Sequence, residues 1–172
     1  MLAKTTDSHP IAHDTSPFDT IAGLAEQTQA KISDLLSPLA LLALRLPVAV
    51  VFWRSGQTRV DGWNIFSITD SQSYLFEHEF GLAFPELAAH VTAIAEHVLP
   101  VLLVLGLFTR LGALGMLIMT MVIQLFIFPD AWFNMHMFWA TILFAVLALG
   151  PGRISIDQLI NRWYLGQRSS GK

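Results

Sequence analysis

Glu96 and His97 stand in the middle of an apolar run, Leu87 to Arg110, that is long enough to cross a bilayer. A carboxylate in that position costs roughly 2.5 to 3.5 kcal/mol to insert, so it needs a charged or hydrogen-bonding partner. Counting along the chain suggests Arg45. It precedes Arg54, the polar end of the first apolar run, by as many residues as Glu96 follows Leu87. At about 1.5 Å per residue the two reach equal depth in antiparallel neighbouring helices. An Arg45–Glu96 ion pair is therefore expected, either fixing helix register or serving a proton or ligand site. Gln124, near the end of the third apolar run, and Asn134 and His136, near the start of the fourth, come to a similar level. Arg45, Glu96, His97, Gln124, Asn134 and His136 thus form one expected polar cluster in one leaflet. Such a cluster suits a cavity or proton path, and equally a set of interhelical hydrogen bonds.

Other residues of reactive type are less promising. His90 and His97 share a helix face but are about 10.5 Å apart along the axis, too far for one metal ion. His9 and His13 stand at i, i+4 beside Pro10, and Glu77-His78-Glu79 reads as a solvated face because neighbours on a helix point in different directions. Met116, Met119 and Met121 read as packing residues. No metal site is expected. The chain has no cysteine, which removes disulfides, thiol exchange, thiolate-held clusters and cysteine nucleophiles from its own chemistry. No cofactor ligand set lies within the chain, and quinone is the candidate external cofactor.

The elements that must position these residues are spans. The composition is 53% hydrophobic and 13% charged, against about 25% charged in soluble domains. Apolar runs at Leu35–Trp53, Leu87–Leu107, Leu111–Phe128 and Ala131–Leu149 predict an all-α membrane protein, a four transmembrane helix bundle with interfacial amphipathic helices at both ends. Residues 1–34 form the tail with the first amphipathic helix, capped at Ser16-Pro17 and broken at Pro38; 35–150 form the bundle. Residues 151–172 form the second amphipathic helix, with a Ser155 to Gln158 capping box and a stripe of Ile156, Leu159, Ile160 and Trp163. At 172 residues there is room for one bundle and not for a separate soluble catalytic domain. The connection Ser55–Glu86 is too long for a simple turn and carries Trp63, Phe66, Tyr74, Phe76, Phe80 and Phe84, which suit a short helix near Ser71–Glu79 acting as a lid over the bundle mouth.

A net charge of −3 shows no nucleic-acid footprint. The basic residues Lys4, Lys31, Arg110, Arg153, Arg162, Arg168 and Lys172 fall on the side of the termini, and only Arg54 and Arg59 on the other. The positive-inside rule then places both termini in the cytoplasm.

Three segments carry a family resemblance: ALRLPVAVVFWRSG, the Glu-bearing span ending in LVLGLFTRLGALG, and the closing LALGPGRISIDQLI. Over Leu39 to Ile160 the chain resembles the DoxX family of small four-helix membrane proteins. The resemblance implies a bacterial inner-membrane protein, since members are associated with thiosulfate:quinone oxidoreductase subunits and with membrane complexes that handle oxidative stress. It implies no catalytic role for Arg45 or Glu96. Three functions stand open: a membrane subunit of a redox complex using quinone, an anchor for soluble redox enzymes or other membrane subunits, and a small-solute transporter. The bilayer is the expected partner in all three, with a homo-oligomer as a further possibility. Whether the chain is itself an enzyme is left open.

The topology is directly testable because the chain lacks native cysteines. A Ser169→Cys variant should stay unlabelled by a membrane-impermeant thiol reagent in intact cells and react after permeabilisation. Labelling in intact cells would reverse the orientation.

Overall fold

The computed structural model describes residues 17–81 and 83–170. His9, His13 and the cap at Ser16 lie outside them. The described α-helices are α1 (Pro17–Gln57), α2 (Asp70–Tyr74), α3 (Pro85–Leu105), α4 (Thr109–Val122), α5 (Met137–Leu149) and α6 (Ile156–Ser170). Four stretches are long and apolar enough to cross a membrane: Ile21–Gln57, Pro85–Leu105, Thr109–Ile127 and Pro129–Leu149. The protein is an all-α membrane protein, as its apolar runs predict.

The chain divides into two compact units, Met1–Leu36 and Ser37–Lys172. In the first, the described residues are helical and expose Phe18, Ile21, Leu24 and Ile32. The expected break at Pro38 does not occur, for Pro38 and Pro47 both lie inside α1. A helix long enough to continue on both sides can absorb the one hydrogen bond each proline removes.

In the second unit the core joins Val48, Ala49 and Phe52 of α1, Leu103 of α3, Ala113 and Met116 of α4, and Leu143 and Val146 of α5. Glycines let the helices approach. A Cβ at Gly115 would lie 2.9 Å from Leu99 Cδ1, and one at Gly56 would lie 2.8 Å from the His97 ring. Between α1 and α3 the connection is ordered by an antiparallel bridge, Val60 to Ile68, and by Thr69 N–H donating to Arg59 O at 3.0 Å. α2 then runs into a π-helical turn, Leu75–Glu79, so the short helix expected near Ser71–Glu79 is present.

The end of the bundle nearest α6 is tied by one knot. α3 ends in a Schellman motif: Gly106 is left-handed (φ 67°), its N–H reaches Leu103 O, and Leu107 N–H reaches Leu102 O. Asp157, in the first turn of α6, accepts from Phe108 N–H (2.8 Å), Thr109 N–H (2.9 Å) and the Thr109 hydroxyl (2.9 Å), while its own N–H donates to Gly106 O. The GLFTR turn and the Asp of the closing segment are therefore two halves of one contact. Ser155 Oγ accepts from Gln158 N–H at 3.2 Å, the serine half of the expected capping box. Arg45 enters the knot from α1, donating to Leu41 O (3.2 Å), Leu103 O (3.4 Å) and Ile154 O (2.7 Å). Its carbonyl within α1 is Leu41 O, and not Ala43 O, the one that Pro47 leaves unpaired.

Burial pushes the Asp157 carboxyl up, but the hydrogen bonds from Thr109 and Phe108 and the charge of Arg45 outweigh it and hold the carboxyl below its ordinary range. A depressed carboxyl contributes stability that is present above its unfolded pKa and is lost as pH falls through the folded value. Wild-type thermal stability in detergent should therefore drop on acidification below about pH 4, and Asp157→Asn should flatten that dependence. At neutral pH, Asp157→Ala should cost on the order of 2 to 3 kcal/mol through lost charged hydrogen bonds. Gly106→Ala should also destabilise, because its Cβ would lie 2.5 Å from Arg45 Nη1 and 2.5 Å from Ser155 Cβ.

Candidate functional site: a buried ion pair beside an apolar cavity

Glu96 is 1% exposed, and its partner is Arg59, not Arg45. Arg59 Nε donates to Oε2 at 2.5 Å and Nη2 to Oε1 at 3.0 Å, the two-pronged geometry that a planar guanidinium and a carboxylate favour. Ser55 Oγ adds a third hydrogen bond to Oε1 at 3.1 Å. The expected Arg45–Glu96 pair is corrected by helix register. Arg45 meets α3 at Leu103, two turns or about 10 Å beyond Glu96, and the residues of α1 that face Glu96 are Ser55 and Gly56. Equal counting from the two polar ends assumed that α1 and α3 start level. They do not: α1 ends opposite the middle of α3, and the connection supplies the missing cation.

Arg59 is itself held. Nη1 donates to Gln72 Oε1 at 2.9 Å, and its Cζ lies 5.4 Å from the centroid of the Phe76 ring. His97, 4% exposed, meets α1 at Gly56 together with Glu96. Its Nδ1 donates to Ala93 O at 2.7 Å, because a carbonyl only accepts, which leaves Nε2 to accept from Gln57 Nε2 at 2.7 Å. Trp53 packs edge-on against the imidazole at 5.0 Å.

Gln124 and His136 do reach the same level. His136 Nδ1 lies 2.7 Å from Gln124 Oε1, and Gln124 Nε2 donates to Pro129 O at 2.6 Å. Both sit in π-helical turns, Ile123–Ile127 and Trp132–His136, where one extra residue per turn rotates the side chains that follow. Asn134, between them, is exposed. The six expected residues therefore separate into Glu96 with His97, Gln124 with His136, Arg45 in the distant knot, and Asn134 outside.

A cavity of about 440 Å³ lies beside the ion pair, lined by Arg59, Phe76, Phe80, Thr92, Ile123, Phe128 and neighbouring apolar residues of α3 and α4. Two of its rings come from the aromatic connection, with Phe80 edge-on to both Phe76 (5.2 Å) and Phe128 (6.3 Å). Two polar groups reach its wall. Arg59 has five N–H donors, of which protein acceptors take three. Thr92 is the one described threonine side chain with no hydrogen bond; Thr120 and Thr141, in the neighbouring spans, bond back to the preceding turn. An apolar chamber with a few polar groups on its wall is the general form of a small-molecule site. Among the described residues no three His, Asp or Glu side chains gather as a metal site.

Sequence reasoning placed Arg59 only as an outer-face cation and did not single out Ser55, Gln57, Gln72 or Thr92. The available signal was the polar string Ser55-Gly56-Gln57-Thr58-Arg59, which follows the first apolar run without a break and holds three residues that bond Glu96 or His97.

Removing one member of the pair strands the other charge. Glu96→Gln and Arg59→Gln should each lower stability on the order of 3 to 5 kcal/mol, by analogy with buried pairs in soluble proteins. The Arg59→Glu/Glu96→Arg exchange should recover part of that loss. Arg45→Gln should combine additively with Glu96→Gln in thermal unfolding, whereas Arg59→Gln should not.

The DoxX family model matches residues 40–129, which include α3, α4, the connection with Arg59 and the α1 residues that meet them. An uncharacterised protein of Haemophilus influenzae (strain ATCC 51907 / DSM 11121 / KW20 / Rd) is 28% identical over 141 residues, covering 78% of this chain and 91% of its own. No solved structure matches. With half of its length matched, across the turn and the ion pair just described, the chain belongs to the DoxX family.

Proposed function

We propose that this membrane protein is a quinone-binding subunit of a redox complex in the bacterial inner membrane, with both termini in the cytoplasm. The observation that carries the reading is the cavity at Arg59: about 440 Å³ of largely apolar space, walled by aromatic rings, with unspent donors on Arg59 and Thr92. Its volume falls within the roughly 300 to 1,000 Å³ common to small-molecule sites. A quinone ring would lie between Phe76, Phe80 and Phe128, with its carbonyl oxygens accepting from the guanidinium and the Thr92 hydroxyl. Arg59 also stabilises negative charge as the ring is reduced, and its pairing with Glu96 keeps it in place while the site is empty. The chain has no cysteine to hold a cluster, so electrons would arrive from a partner polypeptide, such as a soluble redox enzyme docked at the membrane.

The test is binding of a benzoquinone without a long tail to purified protein, read by quenching of tryptophan fluorescence. Wild type should bind saturably. Thr92→Phe, which fills the chamber, should weaken binding by about tenfold or more, and Thr92→Val, which removes only the hydroxyl, by a few-fold. Absence of saturable binding to wild type, or equal affinity in Thr92→Phe, would refute the proposal.

A further inference from the structure

The chamber beside Arg59 has a neighbour. A second apolar groove, of about 320 Å³, is lined by Ala83, Phe84, Leu87, Ala88 and Val91. Ala88 lines both spaces, so they meet at one side chain of the first turns of α3. The groove's walls are turned outward: Phe84, just before α3, is 74% exposed, and Leu87 and Val91, on this span, are 64% and 57% exposed. The two spaces differ in chemistry. The inner one holds Arg59 and Thr92, whereas none of the five residues of the outer one has a polar side chain. Ala88, whose side chain is a single methyl group, is the one lining residue that the two spaces share.

From this juxtaposition we infer that the ligand is a ring with a single hydrocarbon tail, whose head occupies the chamber at Arg59 and whose tail crosses Ala88 into the Phe84–Leu87–Val91 groove. The inference rests on the reading of the chamber as a head-group site and adds the class of molecule: a tailed amphiphile taken from the bilayer rather than a water-soluble solute. The groove accounts for the direction of entry. A tail dissolved in lipid gains no hydrophobic free energy by moving onto an equally apolar helix face. What it gains is close packing in a preformed slot, and a site whose tail remains in contact with lipid need not extract the ligand from the membrane.

The experiment compares a decyl-tailed benzoquinone with its methyl counterpart on the full chain in lipid nanodiscs, with affinities expressed against the concentration of each compound in the lipid phase. Wild type should prefer the decyl compound by about tenfold, the worth of a well-packed tail segment. Leu87→Trp and Val91→Phe, both at lipid-facing positions outside the head chamber, should fill the groove. Each should lower the preference to within about twofold while binding the methyl compound as wild type does. Both substitutions are apolar and outward-facing, so folding is checked simply by retained binding of the methyl compound. If wild type binds both compounds equally, or if both groove variants keep the full preference, the tail site is wrong and the head site stands. If neither compound binds saturably to wild type, the head site and the tail site fall together.

Discussion

Glu96 sits about 16 Å into α3 from Pro85, near the middle of a span, and a carboxylate there must be satisfied by the protein itself. Its donors are Ser55, from the last turns of α1, and Arg59, just past the helix end. That arrangement fixes much of the remaining structure. For Arg59 to reach Glu96, the chain leaving α1 must stay against α3 halfway along it, and the segment that follows must fold within the bundle's end instead of looping away. Backbone groups in such a segment need internal partners, and the Val60 to Ile68 bridge with the Arg59 to Thr69 hydrogen bond supplies them. Val60 and Phe76 are buried as a result, at 5% and 4% exposure.

The second constraint is at the opposite end of the same helix pair. Arg45 is as buried as Glu96, yet it faces backbone carbonyls and the charge of Asp157 instead of a carboxylate within the spans. Two charged contacts, from Arg45 within α1 and from Arg59 just past its end, hold one register against α3. The glycines make that register sterically possible, since Gly56 admits the His97 ring and Gly106 admits the Arg45 guanidinium. A slip by a single residue would rotate α1 by about 100° and bury both arginines without acceptors. Hydrophobic packing among Val48, Phe52, Leu103 and Met116 has no comparable power to choose one register, because neighbouring apolar side chains can exchange places at modest cost.

The cavity is a consequence of these constraints. α1 stops at Gln57, level with the middle of α3, so the half of α3 nearer Pro85 and the half of α4 nearer Val122 lack a full-length neighbour on that side. The aromatic connection covers the gap with Phe76 and Phe80, which do not fill it. The π-helical turns add to the effect. Ile123–Ile127 carries Phe126 and Ile127 onto the cavity wall while turning Gln124 toward His136, and Leu75–Glu79 aims Phe76 at Arg59. Each such turn weakens regular helix packing, and all three lie in the half of the bundle that contains the chamber.

Amino-acid order alone determined the class of the protein and its span count, because apolar runs of about twenty residues with few charges have only one economical solution in a bilayer. It also determined that Glu96 needs a partner, that Gln124 and His136 come to one level, that Ser155 caps α6, and that a short helix forms near Ser71. These are local or short-range matters, set by periodicity, spacing and the cost of a bare charge. Tertiary structure decided which arginine answers Glu96. Arg45 and Arg59 are equally plausible in composition, and the choice depends on an axial offset between α1 and α3 that hydropathy does not encode. It also decided that Pro38 lies within a helix, that Asn134 faces outward, and that the π-helical turns orient Gln124 and His136. Finally, it brought Arg59, Phe76, Thr92 and Phe128 around one space. These residues are far apart in the chain, and only the register imposed by the contacts of Arg45 and Arg59 makes them neighbours.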